Sequence, residues 1–112
     1  MVDREQIAKI RVHDDLGSLL MLRRTVAPWF RRIARLEPNQ VVLDFSKVQF
    51  MSRSFADEYL AAKKAIAKRI EERHVPLGVR QMLRIVSRRQ IGGRAREFWA
   101  TQTPPQSVPV AR

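Results

Sequence analysis

Residues 41–45, VVLDF, constrain this chain more than any other stretch: four of five consecutive side chains are apolar, with Pro38 and Asn39 before them and Ser46 after. A strand with one wet face alternates apolar and polar residues, so an almost unbroken apolar run between turn formers is a strand covered on both faces. We therefore expect a central strand over residues 40–45. The rest of the chain must supply its neighbours and its cover.

Ile10 and Val12, two apart in residues 6–12, suit a short edge strand. Leu16, Leu19, Leu20, Val26, Ala27, Phe30, Ile33 and Ala34 recur at helical spacing with arginines opposite, which predicts an amphipathic helix from about Ser18 to Leu36. Pro28 either kinks that helix or begins it afresh from its first turn. Residues 46–53 read as a connection. At Ser54 a helix start is expected, with Ser54 capping the amide of Asp57, and Asp57 and Glu58 favouring the positive helix end. Phe55, Tyr59, Ala62, Ile66 and Ile70 then repeat at about 3.6 residues, extending that helix to about Arg73. LGVRQ (77–81) reads as a short strand and residues 82–93 as a helix ended by Gly92 and Gly93. Residues 94–100 add a helical turn whose Phe98 and Trp99 pack back on the domain, and three prolines mark residues 100–112 as a disordered tail. Strands alternating with helices imply parallel pairing, hence an α/β fold: one domain over residues 1–99, a short mixed or parallel sheet flanked by about three helices.

The chain has 112 residues and no cysteine, and its two histidines, His13 and His74, lie far apart, so no metal site or cofactor is expected. The polar amino end and the lack of an apolar run of about 20 residues point to a cytoplasmic protein with no membrane partner. The formal charge is +11 and uneven: residues 73–112 carry eight basic groups and one acidic group. Arg80, Arg84, Arg88, Arg89, Arg94 and Arg96 are accordingly candidates for phosphate or polyanion contact, with Arg84 and Arg88 on one helix face; the alternative is a solvated face. Only Phe98 and Trp99 accompany them as aromatics. Asp44, Asp57 and Glu58 could be grouped as an acid–base or Mg²⁺ cluster, but Asp44 can bind loop amides and the other two suit a helix start. With no nucleophile beside a base and no phosphate loop, an enzyme is not expected.

Residues 41–60, VVLDFSKVQFMSRSFADEYL, resemble the core signature of the STAS-like domains, in particular the branch catalogued as domain of unknown function 4325: an apolar strand ending in Asp-Phe-Ser, a short loop, then Ser-Phe-Ala-Asp-Glu. The resemblance implies the fold of the anti-sigma-factor antagonists, in which this loop and helix start form the partner-binding surface. It also implies a histidine-kinase-like ATPase regulator as the protein partner. In the antagonists an Asp-Ser-Ser-Gly motif is phosphorylated on its first serine. Laid on FMSRSFA, that position falls on Arg53, the second serine on Ser54 and the aspartate on Ser52, so this chain departs from the switch. Ser52 and Ser54 remain candidate acceptors, and a phosphate there would change the local charge by nearly two units.

Two functions follow. The first is a non-enzymatic, regulatory protein-binding module acting through Ser52, Arg53, Ser54, Phe55, Asp57, Glu58 and Asp44, in signalling or transcriptional control by partner switching. The alternative is a basic, nucleic-acid-associated protein using the arginine-rich last third.

Overall fold

The computed structural model describes residues 6–89. Expectations for the turn at 94–100, for Arg94 and Arg96, for the domain end at residue 99 and for the tail lie outside those residues. The chain forms an α/β domain: β1 (Ile7–Arg11), α1 (Val12–Leu16), β2 (Leu19–Leu20), a 3₁₀ turn (Arg23–Thr25), α2 (Val26–Ala34), β3 (Gln40–Asp44), β4 (Phe50–Met51), α3 (Arg53–Ala65), β5 (Arg69–Arg73) and α4 (Leu77–Ser87). β1, β3 and β5 make a parallel three-stranded sheet with β3 in the middle, as its apolar run predicts, and β2 pairs with β4 in a second, parallel pair.

The register sorts the sheet into two faces. Ala8, Val41 and Ile70 are level with one another, as are Ile10, Leu43 and Glu72, and this side meets the helices. Glu58 excepted, the buried residues of all four helices join one cluster with Val41, Leu43 and Phe45. Burying such a side chain stabilises by roughly 1.5–3 kcal/mol. On the other side Val42 is buried too, but its neighbours on that face are polar: Gln40 Nε2 donates to Glu71 (3.4 Å) and Arg73 Nε donates to the same carboxylate (2.8 Å). Long side chains roofing an apolar residue while keeping their heads wet account for that burial.

Several elements differ from the sequence reading. The helix expected from Ser18 begins only at Val26, with Pro28 in its first turn, where a missing N–H costs nothing. Leu19 and Leu20 are drawn into β2 because Leu20 is buried opposite Met51. Val12–Leu16 forms an unforeseen short helix, closed by Gly17 at φ 89, a conformation only glycine adopts cheaply. The expected connection 46–53 contains β4. Helix α3 ends at Ala65, not Arg73, because residues 69–73 pair with β3 and place Ile70 against the core; that pairing overrides the helical propensity of an Ala- and Lys-rich run. Lys68 Nζ secures the crossing by donating to the carbonyls of Leu36 (2.6 Å) and Pro38 (2.7 Å). Residues 77–81 are helix rather than strand, since Val79, Leu83 and Val86 form one buried stripe across the expected boundary.

Candidate functional site at the start of helix α3

Ser52, not Ser54, caps α3: its Oγ accepts from the amide of Phe55 (3.1 Å). The same hydroxyl donates to the carbonyl of Met21 (3.0 Å), and its amide donates to Leu20 O (2.8 Å), so the cap also fastens α3 to the β2 segment. Ser54 lies 3.4 Å from Ser52, Oγ to Oγ, and is exposed with Arg53 beside it. Phe55 is buried, whereas Asp57 is half-buried one turn further on. Glu58 is 8% exposed and pairs with Arg23 at 3.4 Å. A buried carboxylate needs such a partner, which gives Glu58 a structural task.

Two surfaces meet at these serines. Leu19, Met21, Leu22 and Phe50 are each between 45% and 54% exposed, and Leu19 stands directly opposite Phe50 across β2 and β4. Half of the exposed large apolar side chains among the described residues gather here, and Leu19, Met21 and Leu22 line a small cleft of about 70 Å³ with buried Phe55. Contiguous exposed apolar side chains with polar neighbours mark interaction sites. On the other side an open groove of about 540 Å³ is lined by Arg23, Arg53, Ser54, Asp57, Val86 and Arg89.

Asp44 sits at the end of β3 and is occupied locally. It accepts from the amide (2.9 Å) and hydroxyl (2.6 Å) of Ser46 and lies 3.1 Å from His74 Nδ1. The Ser46 hydroxyl and amide, then His74, hold its carboxyl down at about 2. His74 follows strand β5, not a helix, and adopts φ 55. No grouping of three His, Asp or Glu able to hold a metal occurs among the described residues, and Asp44 is engaged by Ser46 and His74.

The arginines of the last third divide. Arg80 and Arg84 line a groove of about 440 Å³ between α3 and α4, together with Lys63 and Glu72. There Glu72 accepts from the phenol of buried Tyr59 and from Lys63 Nζ (2.9 Å), and burial followed by the Glu72 charge pushes the Tyr59 hydroxyl well above its usual range. Arg88 is exposed at the end of α4, whereas Arg89 reaches the serine groove. The sequence reading missed Leu19, Met21, Leu22 and Arg23. Their signal was LLML (19–22), four successive apolar residues that no single helix face can bury. No family model, curated protein or solved structure matches this chain.

Proposed function

We propose that this domain is a non-enzymatic regulatory module that binds another protein through the start of α3. The observation that carries this reading is the exposed apolar patch of Leu19, Met21, Leu22 and Phe50, tied by the Ser52 hydroxyl to the helix start. The exposed halves of these four large apolar side chains gain nothing for the fold, whereas covering them on binding is favourable by roughly 25 cal/mol per Å² before the costs of association. The resemblance of residues 41–60 to the STAS-like domains supports the same surface and names the kind of partner: a histidine-kinase-like ATPase regulator in the cytoplasm. Ser54, exposed between patch and groove, stands where modification would interrupt docking.

The test is affinity capture from lysate of the source organism, with and without nuclease, using the full chain and its Phe50→Ser variant. The reading expects one nuclease-resistant protein retained by the chain and lost with the variant. Material that disappears on nuclease treatment, is indifferent to Phe50→Ser and is lost in Arg84→Gln/Arg88→Gln would overturn it in favour of nucleic-acid binding.

A further inference from the structure

Helix α4 runs back along α3. Leu60 and Lys63 share one groove with Leu83 and Ser87, whereas Arg53 and Ser54, at the beginning of α3, share another with Val86 and Arg89 at the end of α4. The return of the chain therefore delivers Arg89 to a place already occupied by Arg53 and by Arg23 from the turn after β2. Three arginines from three separate elements line one groove, with Asp57 the single acidic residue lining it among the described residues. Arg23 is shared with Glu58 yet stays 60% exposed, and Arg53 and Arg89 are exposed and make no ion pair among the described residues.

The groove and the apolar patch adjoin. Arg23 directly follows Leu22, and Arg53 directly follows Ser52, whose hydroxyl bonds to Met21 O. We infer that the partner segment docking at the start of α3 is acidic as well as apolar, placing carboxylates against Arg23, Arg53 and Arg89 while its apolar side chains cover Leu19, Met21, Leu22 and Phe50. This rests on the protein-docking reading and adds the chemistry of the partner. Charge complementarity selects the sign: like charges brought together repel, and a rim of arginines both steers an acidic segment and rejects a basic one. A nucleic acid would satisfy the arginines but leave the leucines and Met21 uncovered, and Phe50 is the one aromatic in the patch on which a base could stack.

The probe is a pair of alanine-based helical peptides with two leucines on one face, flanked in one by glutamates and in its twin by glutamines. Each is titrated into the full ¹⁵N-labelled chain while amide shifts are followed. The glutamate peptide is expected to perturb residues 19–24, 50–57 and 86–89 and to bind about tenfold tighter than the glutamine peptide, the sum of a few exposed ion pairs. That advantage closes as salt rises. Arg53→Gln/Arg89→Gln removes the advantage without weakening the glutamine peptide, and Phe50→Ser weakens both peptides alike. Equal affinities would overturn the inference and leave the apolar docking surface standing. Binding by neither peptide would overturn it and count against the docking reading as well. Displacement of the glutamate peptide from this groove by oligothymidylate of equal charge, at lower concentration, would reassign the arginines to nucleic acid.

Discussion

The two ends of helix α3 are built on opposite terms. At Tyr59 and Lys63 the polar groups are paired: the Tyr59 hydroxyl donates to Glu72, Lys63 completes the carboxylate, and the Tyr59 ring packs against Trp29, Phe30, Phe45 and Phe55 with centroids 5.7–6.5 Å apart. At the amino end, by contrast, four apolar side chains are about half exposed and two arginines make no ion pair among the described residues. The first arrangement stabilises the fold. The second leaves apolar surface and positive charge exposed beyond what the fold uses. Within one helix, then, packing and recognition are separated by little more than a turn.

Substitutions at the two ends should separate in the same way. Tyr59→Ala deletes the ring on which four aromatics converge and is expected to cost about 3–5 kcal/mol, read as a lowered denaturation midpoint. Phe50→Ser, at the other end, should cost less, about 1–2 kcal/mol, since only about half of the side chain is covered. A large loss of stability there would mean that the patch belongs to the core. Tyr59→Phe keeps the ring and removes only the hydroxyl, so the expected loss is about 1 kcal/mol, and it should be insensitive to salt.

The carboxyl edge of the sheet provides a third comparison, through pH. The carboxyl of Asp44 titrates at about 2 in the folded chain against an ordinary 3.8, so the folded state favours its charged form. The stability it contributes is present above the ordinary value and is lost as pH falls from there through about 2. An Asp44→Asn variant should show a flatter acid limb between those values than the parent, while the α3 variants keep the parent's slope. The smallest expected effect is Gly78→Ala: Gly78 lies in the first turn of α4 with open space where a Cβ would be placed, so the variant should gain about 0.5 kcal/mol.

Much of the sheet is legible in sequence because its signal is local. The run at 41–45 forces a central strand, and the alternation of elements gives the parallel order. Strand β5 is not legible because AAKKAIAKRI has the composition of a helix, and only hydrogen bonding of residues 69–73 to β3 draws the chain out of it. The same holds for the site. The serines and Phe55 are visible as a motif, although their capping roles are exchanged: Ser52 bonds the Phe55 amide and leaves Ser54 exposed. The patch was hidden inside an apparent helical repeat, since Leu19 and Leu20 satisfy its spacing while pairing as strand. The approach of Arg89 to Ser54 depends on α4 folding back along α3, a matter of packing that no spacing in the sequence records.

Amide hydrogen exchange of the full chain, alone and bound to the captured partner, tests the docking claim most directly. The account predicts that binding slows exchange in residues 19–24 and 50–57, extending to residues 86–89, with the Arg80 and Arg84 groove unchanged. Slowed exchange confined to residues 77–85, with the start of α3 untouched, would contradict it.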